Sequence, residues 1–290
     1  MSSDAKKTVA IMYDFDKTLC TKDMQEYTFI PNLGMTAEEF WQEASALAEQ
    51  NKMDRILGYM YLMIKKAKRE DKAIRREDFV KLGKDIEFYP GVTNWFEHLN
   101  DFAKDQGVKI EHYIISSGLK EIIEGSKLKN KFEEIYASEF LYDVNNVAIW
   151  PRNAINYTAK TQFLFRINKG ILDISEDDAL NNYIDNDERR IPFRNMIYIG
   201  DGLTDVPCMK LVKLNGGYSI AVYKQGQQSK VKDLLINKRV DFLMPADYSS
   251  NKQLYKTVTK MIQKMAVADD LYDEHFRQLK MAKDSQEDLL

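Results

Sequence analysis

The run Val9-Ala10-Ile11-Met12-Tyr13 is apolar throughout, and Asp14-Phe15-Asp16-Lys17-Thr18 follows it directly. An unbroken apolar run this short predicts a strand covered on both faces, as in the middle of a parallel sheet. After Thr18 the pattern takes on a helical period. Thr36-Ala37-Glu38-Glu39 has the form of a capping box, with Phe40, Ala44 and Leu47 following at helical spacing. Ile56, Leu57, Met60, Met63, Ile64 and Ala67 mark a second amphipathic helix. Phe79, Leu82 and Ile86 mark a third, from about Arg76 to Ile86, before Pro90-Gly91 breaks the run. Residues 21–88 therefore read as an all-helical insertion after the first strand.

Beyond the insertion, strand and helix periods alternate. A helix over Thr93 to Lys104 leads into an apolar strand, Ile110 to Ile115, then Ser116-Ser117-Gly118 and a helical pattern at Leu119, Ile122 and Ile123. Ile135 to Ile149 alternates around Asn145-Asn146 as a hairpin would. Thr158 to Ile167 is helical, and the polar stretch 173–190 reads as a mostly exposed insertion. Met196 to Ile199 is a short buried strand ending in Gly200-Asp201-Gly202-Leu203-Thr204-Asp205. Strands at Ser219 to Tyr223 and Val240 to Leu243, then a long helix from about Asn251 to Lys280, close the chain. This alternation predicts an α/β fold: a doubly wound parallel sheet from 1–20 and 89–290, with a smaller helical cap from 21–88.

Composition narrows the function. With 290 residues, 44% hydrophobic, 30% charged and a net charge of −3, the chain is an ordinary globular one without the basic field that nucleic acid requires. Cys20 and Cys208 are the only cysteines, so a disulfide framework is not expected and a reducing, cytoplasmic setting is. The start, Met1 to Lys7, lacks a signal-peptide core, and no apolar run approaches membrane-spanning length. The basic run Lys65, Lys66, Lys68, Arg69, Lys72, Arg75 and Arg76 is diluted by Glu70, Asp71, Glu77 and Asp78, and reads as a solvated face. His98, His112 and His275 show no zinc-ligand spacing.

In open α/β sheets ligands bind beyond the carboxyl ends of the strands. The pairs Asp14/Asp16 and Asp201/Asp205, together with Ser116, fall at such ends, with Lys160 between the second and third in order. Side chains at i and i+2 of an extended chain share a face, so Asp14 and Asp16 repel unless a proton or cation lies between them. A hard divalent cation suits that pair.

The order Asp-x-Asp-x-Thr, Ser, Lys, Gly-Asp-Gly-x-x-Asp resembles the four-motif signature of the haloacid dehalogenase superfamily, over about Val9 to Val222. It is most similar to the phosphoserine phosphatase-like branch, which also carries a helical cap between its first two motifs. The resemblance implies a phosphatase with Asp14 as nucleophile, forming an aspartyl-phosphate, and Asp16 as general acid and base. It further implies Mg²⁺ held by Asp14, Asp201 and the backbone carbonyl of Asp16, with Asp205 positioning the ion. Ser116 and the amides after it, with Lys160, would cradle the phosphoryl oxygens. Ser117 rivals Ser116, and Thr18 and Gly118 belong to the same expected phosphate subsite. The usual motifs of dehalogenases and ion-pumping ATPases lack an aspartate equivalent to Asp16.

The expected substrate is a small phosphate monoester, with neither nucleic acid nor membrane as partner. The alternatives are a phosphotransferase of the same superfamily and an idle phospho-ligand-binding module. Asp23, Glu26 and Arg55 are the cap's candidates for gripping the leaving group. Tyr59, Met60, Tyr61 and Met63 read as cap core. Cys20 and Cys208 read as structural, because nothing basic adjoins either thiol.

Overall fold

A computed structural model describes residues 7–69, 74–185 and 188–287; Glu70, Asp71 and Lys72 of the charged run and residues 1–6 lie outside these. In chain order the elements are β1 (Lys7–Tyr13), α1 (Phe29–Asn32), α2 (Ala37–Asn51), α3 (Arg55–Arg69), α4 (Arg76–Leu82), α5 (Val92–Asp105), β2 (Val108–Leu119), α6 (Lys120–Glu124), β3 (Glu134–Tyr142) and β4 (Ala148–Asn153). They continue with α7 (Lys160–Lys169), α8 (Asp177–Asn181), β5 (Met196–Gly200), α9 (Val206–Leu214), β6 (Tyr218–Tyr223), α10 (Lys232–Ile236), β7 (Phe242–Pro245) and α11 (Gln253–Glu287). The strands form one seven-stranded sheet in the order β4-β3-β2-β1-β5-β6-β7. Every pairing is parallel except β3 with β4, the predicted hairpin, which forms an antiparallel edge.

β1 lies in the middle, bonded to β2 on one side and β5 on the other, so Tyr13 stands level with Ile114 and Ile199. Its alternate side chains feed two cores. Val9, Ile11 and Tyr13 pack with Trp95, Leu99, Val258 and Ile262 on the α5/α11 face. Ala10 and Met12 pack with Phe163, Leu164, Met209 and Val212 on the α7/α9 face. A strand buried on both sides has no room for a charge until it leaves the sheet, which places the first carboxylate at Asp14.

The insertion is helical, with isolated bridges Cys20–Phe88 and Arg75–Val147 tying it to the core. α2 opens with the predicted capping box: Glu39 N donates to Thr36 Oγ1 at 3.2 Å, and Thr36 N to Glu39 Oε2 at 2.8 Å. α2 and α3 pack as an antiparallel pair over Phe40, Ala44, Ile56, Met60 and Met63. α4 behaves differently. Phe79 stacks on Phe140 of β3, with ring centroids 5.5 Å apart and planes at 9°, an arrangement that contributes about 1 kcal/mol beyond its buried area. The backbone of Val80 lies so close to Gly125 that a Cβ there would sit 1.7 Å from the Val80 carbonyl oxygen. Backbone bonds from Ala148 N to Ile74 O (2.9 Å) and Arg76 N to Asn146 O (3.1 Å) fasten this segment to the hairpin.

The second strand differs from expectation. β2 does not stop at Ile115 but runs to Leu119, with a register shift against β3 between those residues. Polar partners keep the chain extended: Tyr59 Oη (2.7 Å) and Ser138 Oγ (3.2 Å) both donate to Ser117 O. The following helix, α6, is five residues long and begins at Lys120, so no helix N-terminus follows Ser116 directly. No helix among the described residues is long and apolar enough to cross a membrane.

Candidate functional site

The turn after β1 is tightly folded. Thr18, Leu19 and Cys20 all donate their amides to Phe15 O, and Lys17 takes a left-handed φ of 54°. Asp14 N bonds to Ile199 O at 2.9 Å, pinning the start of the turn to the end of β5. Asp14 Oδ1 accepts from Phe15 N (2.8 Å) and pairs with Lys160 Nζ (3.1 Å). Asp16 Oδ1 accepts from Met24 N at 2.7 Å, at the first turn of the insertion. Gly118 fits against this carboxylate: a Cβ there would lie 2.7 Å from Asp16 Oδ2 and 2.1 Å from Met24 Cε.

Lys160, at the start of α7, is fully buried, and its Nζ also donates to Asp205 Oδ1 at 2.7 Å. Tyr198 Oη adds a bond to the same oxygen (2.8 Å), and Asp201 N donates to Asp205 Oδ2 (3.2 Å). Carboxylate oxygens of Asp14, Asp201 and Asp205 all lie within 4.8 Å of one another. Burial and the charge of Asp205 push the Asp14 carboxyl up to about 7, against the opposing pull of Lys160. Burial first, then neighbouring carboxylates, also raises Asp16 and Asp201 well above the ordinary carboxylate range. For Lys160, burial alone would lower the ammonium, but Asp14 and Asp205 outweigh it and raise it. Three clustered carboxylates facing one ammonium carry excess negative charge, which a cation relieves. The donors are hard oxygens only, a set that fits Mg²⁺ or Ca²⁺ and not a soft metal.

Asp14, Asp16, Ser117, Gly118 and Asp201 line one side of a cleft of about 400 Å³, and Lys160 and Asp205 lie fully buried outside that lining. Ser116 and Thr18 are fully buried and are not part of that lining. Ser116 Oγ accepts from Gly118 N at 3.0 Å, while Thr18 Oγ1 and Ser117 Oγ are buried without a hydrogen-bond partner among the described residues. Of the two serines only Ser117 is part of the lining, and its Oγ is buried. The amides after Ser116 are already engaged, Gly118 N with Ser116 Oγ and Leu119 N with Met24 Sδ at 3.1 Å. A thioether is a weak acceptor, so the Leu119 bond is cheaply exchanged for an anion.

The insertion supplies the opposite wall. Asp23, Trp41, Ile56 and Tyr59 line the cleft, and Tyr157 joins them from the loop before α7. Asp23 is paired with Lys17 at 2.5 Å, and Glu26 accepts from Trp41 Nε1 at 3.1 Å. Arg55 does not line the cleft: its side chain is 65% exposed and stands 4.0 Å from Glu49. Tyr59, expected as cap core, is buried yet forms part of this wall, and Trp41 and Tyr157 belong to it as well. The signal for Tyr59 was present in its i, i+3 spacing from Ile56. Tyr198, which holds Asp205, reads from sequence as one more apolar strand residue. Both cysteines are fully buried, and burial raises both thiols, as structural cysteines require.

A family model described as haloacid dehalogenase-like hydrolase matches residues 11–210. An uncharacterized protein of Borreliella burgdorferi is 25% identical over 289 residues, covering 90% of this chain and 98% of that protein. Among solved structures, a HAD family hydrolase from Salmonella enterica superposes with a TM-score of 0.54 at 17% identity, over 84% of this chain and 71% of that one. A substrate-bound phosphoserine phosphatase complex superposes with a TM-score of 0.53 at 17% identity, over 83% of this chain and 95% of that one. At these identities the structural likeness carries the fold.

Proposed function

The chain belongs to the haloacid dehalogenase-like hydrolase family, and from that premise we propose that it is a Mg²⁺-dependent phosphomonoesterase acting on a small phosphorylated metabolite through an aspartyl-phosphate. The observation that carries the reading is the joint attachment of Lys160 to Asp14 (3.1 Å) and Asp205 (2.7 Å), which draws the ends of β1 and β5 and the start of α7 onto one point. The insertion at 21–88 serves as cap to a core of 1–20 and 89–290.

In the first half-reaction Asp14 attacks phosphorus. The bond from its carboxylate oxygen to phosphorus forms while the bond to the leaving oxygen breaks, and Asp16 gives its proton to that oxygen. In the second half Asp16 takes a proton from water, the water oxygen bonds to phosphorus, and the bond to Asp14 breaks. Lys160 holds Asp14 in place and offsets charge that would otherwise repel a phosphate dianion. Ser117, whose buried Oγ is without a partner among the described residues, is the serine that would turn to the phosphoryl oxygens, with Gly118 leaving room for Asp16 beside them. Asp14 and Asp201 would hold Mg²⁺, with the carbonyl of Asp16, while Asp205 stays committed to Lys160, Tyr198 and the Asp201 amide. Such an ion supplies neutralisation of the phosphoryl oxygens.

Incubation with p-nitrophenyl phosphate tests the reading. Nitrophenolate release should require Mg²⁺, vanish on exhaustive chelation, return with Mg²⁺ and be inhibited by Ca²⁺, whose larger coordination number would engage both oxygens of Asp14. Full activity after chelation overturns the metal assignment. No release with Mg²⁺ present overturns the phosphatase assignment.

A further inference from the structure

We infer that a second cleft, beside the catalytic one, binds a phosphoryl group other than the one that is cleaved. Its place follows from how two neighbouring strands end. β5 and β6 run parallel, with Gly200 level with Ala221, so the chain after β6 emerges next to Asp201. This is the carboxyl edge of the sheet, where open α/β sheets bind ligands. There the chain turns back: Gly226 takes a φ of 83°, Gln227 N donates to Lys224 O (2.8 Å), and Lys230 N donates to Gln227 O (3.1 Å). These turns bring Lys224 and Lys230 to a cleft of about 400 Å³, whose lining also includes Lys17, Tyr89 and Asp201.

The two clefts share Lys17, Asp201, Gly202 and Leu203, yet their charges are opposite. The catalytic lining sets Asp14, Asp16, Asp23 and Asp201 against the ammonium of Lys17. The second sets Lys17, Lys224 and Lys230 against the carboxylate of Asp201. Lys17 is paired with Asp23, whereas Lys224 and Lys230 have no ion-pair partner among the described residues. Tyr89, 8% exposed, adds a hydroxyl with no hydrogen-bond partner among the described residues. In a chain of net charge −3, two unpaired ammoniums over one cleft reverse the local field and favour a dianion. Two sources present that chemistry: the second phosphate of a bisphosphorylated substrate, reaching past Lys17 from Asp14, and free inorganic phosphate.

Equilibrium dialysis with labelled inorganic phosphate and Mg²⁺ tests the site on the whole chain. Wild type should bind two phosphates per chain. The Lys224→Glu/Lys230→Glu double variant should bind one, with its affinity at the second cleft weakened by about tenfold or more and p-nitrophenyl phosphate turnover unchanged. Both lysines are exposed, and the milder Lys224→Gln/Lys230→Gln pair serves should charge reversal disturb folding. A single phosphate on wild type, or two of undiminished affinity on the variants, overturns the inference. The source is read from kcat/KM for hexanediol bisphosphate beside hexyl phosphate. An advantage of about tenfold or more, beyond the statistical factor of two and lost in the double variant, assigns the cleft to the substrate's second phosphate. Equal values assign it to free phosphate. The inference does not rest on turnover: if p-nitrophenyl phosphate is not hydrolysed but the double variant still loses one bound phosphate, the phosphatase reading fails and the second site stands. Hydrolysis without that loss defeats the second site and leaves the phosphatase reading intact.

Discussion

The floor and the wall of the cleft are held in place by different forces. On the floor, Asp14, Lys160 and Asp205 are fully or almost fully buried and tied to one another, and Tyr198 and the backbone of Phe15 and Asp201 take up further oxygens. On the wall, Trp41 and Tyr59 each reach a partner through one hydrogen bond, and Tyr157 is 42% exposed. Buried charges must be fully compensated, so every member of the floor depends on the others. Aromatic surface is compensated by contact alone, so the wall can change one residue at a time. On the proposed reading, the same cleft joins a mutually dependent set of buried charges to an aromatic wall whose residues can change singly.

The floor should show the largest effects. Asp14→Asn removes the attacking carboxylate while keeping its shape, and turnover of p-nitrophenyl phosphate should fall by at least about ten-thousandfold, with the circular dichroism spectrum unchanged. A loss below about a hundredfold would mean that the phosphoryl group is not passed through Asp14.

Next in size is Lys160→Met. It leaves Asp14 and Asp205 buried without their shared ammonium, and urea unfolding in the absence of divalent cations should lose about 3–5 kcal/mol. A loss below about 1 kcal/mol would show that the floor is not tied together through this residue.

This contrast also explains what could be read from sequence. The floor was legible because its parts are local: an apolar run that must be a buried strand, followed at once by carboxylates that cannot remain in the sheet. Asp14, Asp16, Asp201, Asp205 and Lys160 all converge as their order suggests. Thr18 and Ser116 are as deeply buried as Lys160 and Asp205, Thr18 in the turn folded back on Phe15 O and Ser116 on β2, which continues to Leu119 under the hold of Tyr59 and Ser138; periodicity cannot register a bond from another element. The wall was legible only at Asp23, which lines the cleft. Trp41, Tyr59 and Tyr157 come from three separate segments, and Tyr59 shares its helical face with core residues. Arg55 was attractive for its charge, but its place on the first turn of α3 sends it to solvent.

Behind the floor lies a smaller, pH-sensitive support. Trp95 Nε1 donates to Tyr13 Oη (2.8 Å), Tyr13 Oη meets His112 Nδ1 (3.0 Å), and His112 Nε2 meets Asn100 Oδ1 (3.1 Å). Burial, helped by Lys131, lowers the His112 pKa to about 3. The fold therefore prefers neutral imidazole: the stability this contributes is complete above the unfolded value of about 6.5 and is lost as pH falls towards the folded value. Between about pH 7 and about pH 5, wild type should lose about 2 kcal/mol more than His112→Gln. Parallel urea curves at the two pH values measure this, and equal losses would mean that His112 protonates in place.

The wall should respond least. Tyr59→Phe removes the bond to Ser117 O and should cost about 1 kcal/mol of stability, while Arg55→Ala should stay within about 0.5 kcal/mol and leave the ranking of substrates unaltered. A changed ranking in the Arg55 variant would extend the wall beyond the residues that line it here.

The division of labour between Asp14 and Asp16 is the centre of the account, and rapid mixing with p-nitrophenyl phosphate tests it most directly. Nitrophenolate leaves without needing a proton, so Asp16→Asn should still be phosphorylated on Asp14, while its carboxamide cannot activate water. The trace should show a burst approaching one nitrophenolate per active site, then very slow turnover, and an alkyl phosphate should give almost no burst. Asp14→Asn should show no burst with either ester. A burst from Asp14→Asn and none from Asp16→Asn would contradict the assignment and reverse the two roles.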